Sequence, residues 1–129
     1  MTDAKKHTVL VVEDEVATAL AMGTALEQEG YDVLRAADGE EGLRIALEKH
    51  PDVLLVDLKL PKMNGMDMIH ALRDDAWGKT ARVIILTNVS DMGSLQAAMM
   101  NDAFYYLIKS DSSVADVIRA VATQLAPPA

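Results

Sequence analysis

Five short apolar runs alternate with longer segments of mixed polarity along most of the chain. The runs are rich in valine, leucine and isoleucine, which is typical of buried strands. Regular alternation of such strands with helices predicts a parallel sheet covered by helices on both faces. The predicted strands are Thr8 to Val12, Asp32 to Ala36, Val53 to Val56, Arg82 to Leu86, and Tyr105 to Ile108.

The segments between these strands carry the spacing and the end signals of helices. The first helix is predicted from Val16 to Glu29, because small and apolar residues recur at helical spacing and Gly30 follows. That spacing is set by Ala17, Leu20, Ala21, Thr24 and Ala25. The other helices are predicted from a cap at Asp38 to about Lys49, from a cap at Asn64 to about Asp75, from about 91 to 102, and from about Ser112 to Leu125.

Length and composition exclude several classes of protein. The 129 residues predict one domain. The absence of cysteine excludes disulfides, thiolate zinc sites and cysteine nucleophiles, and it fits a cytoplasmic location. The net charge of −8 argues against a nucleic-acid partner. No apolar run approaches the ~18 residues of a membrane helix, so we expect neither nucleic acid nor a membrane as a partner.

Chemically active side chains follow four of the five predicted strands. In an open parallel sheet, ligands bind outside the carboxyl ends of the strands. Three acids, a hydroxyl and an ammonium are therefore expected at one edge of the sheet. They belong to Glu13 and Asp14 after the first strand, Asp57 after the third, Thr87 after the fourth and Lys109 after the fifth.

Three carboxylates in one pocket repel one another, and two like charges at 4 Å cost roughly 4 kcal/mol at an effective dielectric constant of about 20. A divalent cation offsets this charge, and hard carboxylate oxygens favour Mg²⁺, Mn²⁺ or Ca²⁺. Mg²⁺ keeps room for water and a phosphate oxygen beside its carboxylate ligands. A carboxylate next to the ion can attack phosphorus to form an aspartyl-phosphate, whose oxygens a hydroxyl and a lysine would bind.

The chain resembles the receiver domain of two-component response regulators over essentially its whole length. The resemblance rests on VVEDE at 11–15, LLVDLKLPKMNG at 54–65, IILTN at 84–88 and YYLIKS at 105–110. It implies a flavodoxin-like, doubly wound sheet of five parallel strands in the order 2-1-3-4-5. It also implies that residues 1–129 are a single receiver domain, similar to single-domain chemotaxis regulators, with a core at about 8–125 and no output domain.

The resemblance implies a role for each residue at the strand ends. Asp57 would be the phosphorylated nucleophile and a metal ligand. Asp14 would bind Mg²⁺ directly, or Mn²⁺ in its place, with Glu13 assisting directly or through water. The backbone carbonyl of Lys59 would be a further ligand.

Three more residues would bind the phosphoryl group or respond to it. Thr87 would hydrogen-bond one phosphoryl oxygen, and Lys109 would pair with another. Tyr106 matches the switch aromatic, whose rotamer is coupled to Thr87 in the family. The surface of the predicted fourth helix, the fifth strand and the last helix would be the output face.

The implied function is a phospho-acceptor signalling switch, not an enzyme that turns over a substrate. A histidine kinase or a histidine phosphotransfer protein would donate its phosphoryl group to Asp57 with the help of Mg²⁺. The chain would catalyse only this transfer and its own slow dephosphorylation. Phosphorylation would change how the output face binds a downstream protein target.

The sequence departs from the family at several positions near the site. Ser110 follows Lys109, where family members usually have proline after a cis peptide bond, so the bond is either trans or strained. Asn88 stands where alanine or glycine is usual. Lys59 and Val89 occupy positions that tune the lifetime of the phosphoryl group in the family.

Three alternatives stay open at this point. Glu13 and Asp14 would also suit the N-terminus of the first helix, as a charge-favoured cap. The chain would also fit a pseudo-receiver that binds partners without phosphorylation, although no expected site residue is missing. An aspartyl phosphatase normally has a second aspartate two residues after the nucleophile, and Lys59 occupies that position here.

Overall fold

The computed structural model describes residues 6–87, 105–109 and 112–125. The strands are β1 (Thr8–Val12), β2 (Asp32–Ala36), β3 (Val53–Asp57), β4 (Val83–Thr87) and β5 (Tyr105–Ile108). The described helices are α1 (Val16–Gln28), α2 (Gly39–Lys49), α3 (Gly65–Arg73), a 3-10 turn (Gly78–Thr80) and a C-terminal helix (Val114–Leu125). The helix predicted from about 91 to 102 lies outside the described residues.

All five strands form one parallel sheet in the order β2-β1-β3-β4-β5, which confirms the predicted topology. The register sets the ends of the inner strands level with one another. Val12 lies opposite Val56, and Asp57 lies opposite Leu86. The residues that follow β1, β3 and β4 are thus delivered to one edge of the sheet.

Alternate residues of each inner strand enter two separate cores. In β1, Leu10 and Val12 pack against the side covered by α2 and α3, whereas Val9 and Val11 pack against α1 and the C-terminal helix. Both faces are apolar because both are covered, as expected for a doubly wound sheet. Within the described part of the chain, no helix is long and apolar enough to cross a membrane.

The residues whose spacing predicted α1 are not the ones that this helix buries. The buried residues of α1 are Met22, Gly23 and Leu26, whereas Leu20 is 57% exposed. Apolar residues occur on several sides of the helix, so a second set at equally helical spacing was available to face the sheet. The pattern predicted the helix but did not determine which of its faces is buried.

Side-chain caps explain where the helices begin. The carboxylate of Asp38 accepts a hydrogen bond from the backbone N–H of Glu41, and the amide oxygen of Asn64 accepts one from Asp67, so both predicted caps are confirmed. The C-terminal helix begins after Ser113, whose hydroxyl accepts from the N–H of Asp116. It therefore starts slightly later than predicted from Ser112.

The end of α3 also differs from the prediction. The carboxylate of Asp75 accepts hydrogen bonds from the backbone N–H groups of Trp77 and Gly78, and these bonds form a turn. The helix consequently ends at Arg73 and not at about Asp75, since an aspartate can replace helical hydrogen bonds with its own.

Candidate phosphoacceptor and metal site

The three acids predicted at the strand ends lie together. Glu13 follows β1 and is buried, Asp57 ends β3 and is 7% exposed, and Asp14 is exposed. One carboxylate oxygen from each lies within 4.8 Å of the others. Glu13 does not cap α1, because its side chain is directed to this cluster and the residue at the N-cap position is Glu15.

Lys109 supplies a positive charge to this cluster from the end of β5. Its Nζ lies 2.9 Å from Oε1 of Glu13 and 3.1 Å from Oδ2 of Asp57. The Lys109 side chain is 27% exposed, so it reaches the acids while keeping contact with solvent. Thus Lys109, which follows β5, bridges carboxylates at the ends of β1 and β3.

The three acids of the site carry more negative charge than one lysine can neutralise. Burial raises the pKa of Glu13 from 4.5 to about 7, and the neighbouring Asp57 adds to this effect while Lys109 opposes it. Burial lowers the pKa of Lys109, but its hydrogen bonds and charge interactions with Glu13 and Asp57 outweigh burial and raise it overall. One ammonium is shared by two carboxylates. Lys109 therefore stays charged, while the negative charge of Glu13 is only partly neutralised.

Both oxygens of the Asp57 carboxylate accept hydrogen bonds. Oδ2 accepts from Lys109, and Oδ1 accepts from the backbone N–H of Lys59 at 3.1 Å. Gly65 closes the loop after β3 because a Cβ at this position would lie 2.5 Å from the carbonyl oxygen of Asp57. The glycine of the sequence motif therefore lets α3 start directly against the end of β3.

Thr87 and Tyr106 lie on neighbouring strands. Thr87 ends β4, is 1% exposed and lies opposite Ile108. Tyr106 lies opposite Ile85, is half-buried, and packs against the core on the side of α2 and α3. Tyr105 is 45% exposed. The switch roles of Thr87 and Tyr106 stay predictions, since Asn88 and the following residues lie outside the described part of the chain.

The donor set fits a hard divalent cation. Glu13 Oε2 is buried and has no hydrogen-bond partner among the described residues, which is costly for a carboxylate oxygen. Carboxylate oxygens from three residues converge beside it. A groove of ≈ 570 Å³ opens next to the acids. It is lined by Asp14, by residues of the loop after β3 and by the start of α3. Glu13, Asp14 and Asp57 are the described side chains that would hold such an ion.

Sequence reasoning did not identify two features around the site. Val16 and Leu20, one helical turn apart on α1, are 79% and 57% exposed and line an apolar pocket that Asp14 also lines. Lys62 forms an ion pair with Asp38 across the loop after β3. The helical spacing of Val16 and Leu20 was visible in the sequence, but their exposure was not. The backbone conformation of Lys62 has no sequence signal.

Comparison with known proteins identifies the family of this chain. The pattern of the response regulator receiver domain family matches residues 9–121. A protein named "Probable chemotaxis protein CheY" from Rhizobium etli is 36% identical over 110 residues, which cover 84% of this chain and 85% of that protein. A protein named "Probable transcriptional regulator ycf27" from Porphyridium aerugineum is 34% identical over 105 residues, and the match spans 81% of this chain but 42% of that protein.

Solved structures show the same fold. A response regulator receiver domain protein from Clostridium thermocellum is 33% identical with a TM-score of 0.83, and the match covers 92% of this chain and 94% of that one. The receiver domain of the sensor histidine kinase PA1611 from Pseudomonas aeruginosa is 25% identical with a TM-score of 0.81, and the match covers 93% and 98%. That structure has a magnesium ion coordinated in its active-site cleft. The present chain belongs to the response regulator receiver domains, the signalling domains of two-component systems.

Proposed function

We propose that Asp57 accepts a phosphoryl group from a phospho-histidine on a histidine kinase or a phosphotransfer protein. The observation that carries this proposal is the environment of Asp57. Its carboxylate is held by the ammonium of Lys109 and the backbone amide of Lys59, next to Glu13 and Asp14. This arrangement orients a nucleophile and also supplies the donors that a phosphoryl group requires.

In the proposed transfer, an oxygen of Asp57 attacks the phosphorus atom and forms a new P–O bond. The P–N bond to the imidazole breaks, and its electron pair goes to the imidazole nitrogen. Lys109, already 3.1 Å from Asp57, is placed to neutralise a phosphoryl oxygen, and we assign the hydroxyl of Thr87 to another. Mg²⁺, or Mn²⁺, would be held by Glu13, Asp14, Asp57 and the Lys59 carbonyl, and would supply positive charge against the acids and the phosphoryl oxygens.

Phosphorylation changes the partners of Lys109, and this is the differential contact that a switch requires. Before transfer, Lys109 binds Glu13 and Asp57 directly. Afterwards its ammonium has phosphoryl oxygens to bind, and Thr87 gains an acceptor. We propose that these changes reach Tyr106 and alter an output face that includes β5 and the C-terminal helix. A downstream protein would read that face, and slow self-dephosphorylation would reset it.

An amide NMR titration tests this proposal, with Mg²⁺ added first and then beryllofluoride as a phosphoryl mimic. We expect Mg²⁺ to shift the amides of Asp14, Asp57 and Lys59. Beryllofluoride should shift Thr87 and Lys109 and extend the changes to Tyr106. The variant Asp57→Asn should show no response to beryllofluoride.

Other outcomes would redirect the proposal. Shifts confined to the pocket would indicate a site that binds phosphate without switching this face. The absence of any response to either ligand would favour a pseudo-receiver that binds partners without phosphorylation. Phosphorylation that persists in Asp57→Asn would overturn the assignment of the nucleophile.

The donor would approach over α1, where the described surface is apolar beside the acids. Val16 and Leu20 are highly exposed and lie one helical turn apart, and the pocket of ≈ 260 Å³ that they line also contains Glu13 and Asp14. A partner that buried these two side chains would lie beside Glu13 and Asp14, which share a cluster with Asp57. We therefore propose that the donor docks here through an apolar surface of its own.

A further inference from the structure

We propose that Lys62 is a positioning residue that fixes the loop after β3, so that the backbone of Lys59 is presented to Asp57 and to the metal site. This inference rests on the proposed function, because it concerns the same site. The described ion pair of Lys62 is with Asp38 and not with Asp57, so Lys62 would act through the loop. The loop consists of residues 58–64, between β3 and α3.

The backbone of Lys62 has an unusual conformation. Its φ is +67°, in the left-handed region that residues with a Cβ rarely adopt. The N–H of Met63 donates to the carbonyl of Pro61 at 2.7 Å, which closes a tight turn around Lys62. Glycine would adopt this conformation without steric cost, whereas a lysine keeps it only where the surrounding contacts hold the backbone.

The side chain of Lys62 reaches the first turn of α2. Its Nζ lies 3.7 Å from Oδ2 of Asp38. The other oxygen of Asp38 accepts the hydrogen bond from Glu41 that caps α2. Because the cap fixes the Asp38 carboxylate, and only 15% of that side chain is exposed, it is a stationary partner for the Lys62 ammonium.

The loop is held at two further points. A Cβ on Gly39 would lie 1.8 Å from the carbonyl oxygen of Met63, so the loop backbone rests directly on the start of α2. The N–H of Gly65 donates to the carbonyl of Leu58 at 2.9 Å, which closes the loop at its base. Between these points the turn at Lys62 determines how the chain runs back to Lys59.

This arrangement would fix the orientation of the Lys59 backbone. Its N–H donates to Oδ1 of Asp57, and its carbonyl is the predicted backbone ligand of the metal. A surface ion pair such as Lys62–Asp38 contributes little to stability. We therefore expect Lys62 to affect the orientation of Lys59 more than the overall stability of the fold.

Three substitutions of Lys62 separate charge from backbone conformation. Lys62→Gly removes the side chain with its charge and lets the backbone leave the left-handed turn as well as adopt it, Lys62→Met removes only the charge, and Lys62→Arg keeps it. Asp38→Asn removes the partner charge but retains an oxygen to cap α2. Lys79→Met is a matched control, because it removes an exposed lysine from the 3-10 turn, outside this loop.

Two measurements on the full chain report on Lys59. The first is the hydrogen-exchange rate and chemical shift of the Lys59 amide in the metal-free protein. The second is Mg²⁺ affinity by NMR titration. In Lys62→Gly we expect faster exchange at Lys59 and a loss of Mg²⁺ affinity on the order of tenfold, the low end for removal of an orienting contact. The melting temperature should be unchanged or higher.

The variants that change charge alone should affect the Lys59 amide and the Mg²⁺ affinity in the same direction as Lys62→Gly, but by smaller amounts. Lys62→Met and Asp38→Asn should each weaken Mg²⁺ binding, the double variant should lose no more than the larger single effect, and Lys62→Arg should restore binding. An unchanged Lys59 amide and unchanged Mg²⁺ affinity in both Lys62→Gly and Lys62→Met would overturn the proposal. A lower melting temperature with unchanged Mg²⁺ affinity would show a purely structural role and overturn it equally.

These outcomes are separable from a failure of the proposed function. If the unmodified protein binds no Mg²⁺, the proposed function fails, but the exchange rate of the Lys59 amide in the metal-free protein still tests the role of Lys62.

Discussion

The ammonium of Lys109 lies 2.9 Å from a carboxylate oxygen of Glu13, although the two residues are 96 positions apart in the chain. The same ammonium lies 3.1 Å from Asp57. Asp14 lies in the same cluster, but none of the described ion pairs joins it to Lys109. One cation thus connects two of three acids, and the site retains negative charge that a divalent ion would offset.

Replacing Lys109 by methionine should destabilise the metal-free protein. Loss of one partner from a buried ion pair typically costs about 3–5 kcal/mol, and we expect roughly 2 kcal/mol here because the lysine side chain is 27% exposed. Chemical denaturation in the presence of a chelator measures this change. Lys109→Arg, which retains the charge, should lose less.

The same substitution should tighten Mg²⁺ binding, because the metal no longer competes with a fixed cation. Addition of Mg²⁺ should therefore recover part of the lost stability in Lys109→Met. Equal stability of Lys109→Met and the unmodified protein, with equal Mg²⁺ affinity, would contradict the role of Lys109 as the counter-ion of the acids.

The elevated pKa of Glu13 predicts how stability changes with pH. Folded Glu13, with a pKa of about 7 against 4.5, holds its proton more tightly than the unfolded chain does. The folded state therefore binds more protons, and the contribution of Glu13 to stability falls as pH rises from 4.5 through 7. We compare the free energy of unfolding of Glu13→Gln with that of the unmodified protein, both without metal. The difference in favour of the variant should increase by roughly 3 kcal/mol as the pH rises from 4.5 to 7.

Denaturation curves at several pH values measure this difference. Glu40→Gln provides the control, because it removes one exposed acid that lies outside the site. A constant difference between Glu13→Gln and the unmodified protein would show that Glu13 is not held in a charge-poor environment.

The crowding of acids also predicts stabilising substitutions at the site itself. Asp57→Asn should raise the free energy of unfolding of the metal-free protein by on the order of 1–2 kcal/mol, a fraction of the ~4 kcal/mol that two like charges cost at 4 Å. Asp14→Asn should have a smaller effect because Asp14 is exposed. Denaturation in chelator measures both, and lower or unchanged stability in both variants would argue against a repulsive cluster.

The exposed apolar residues of α1 predict a selective defect in phosphoryl transfer. Replacing both Val16 and Leu20 by serine should slow transfer from a phospho-histidine protein roughly tenfold, because apolar anchors contribute strongly to docking. Transfer from a small donor such as acetyl phosphate should not change. Glu27→Gln, near the other end of α1, is the control. Equal slowing with both donors would place the defect in the site and not in docking.

The positions of the strands along the chain could be predicted from the sequence because apolar runs are local patterns, whereas the order of the strands in the sheet was implied by the family resemblance. Apolar runs set the strands, and the polar residues that follow them identified the edge where Asp57, Asp14 and Lys109 meet. Side-chain caps at Asp38 and Asn64 were equally local, since a short polar side chain bonds the backbone three residues later.

The buried face of α1 could not be predicted in the same way. Two sets of residues in that helix satisfy helical spacing, and burial of Met22 and Leu26 instead of Leu20 depends on packing against the sheet. Likewise the contact of Lys62 with Asp38 depends on how the loop after β3 lies against α2. It also depends on the left-handed backbone of Lys62, which no residue pattern predicts.

The side chains that reach the carboxyl edge of the sheet could be identified from the chain alone, because strand period and strand end are properties of neighbouring residues. How these side chains share charge there depends on the packing of the folded protein. Lys109 bridges Glu13 and Asp57, one oxygen of Glu13 is buried without a described partner, and Asp14 is exposed. Coulomb interactions and desolvation depend on distance and burial in space, and these are set by the packing of β1, β3 and β5 together.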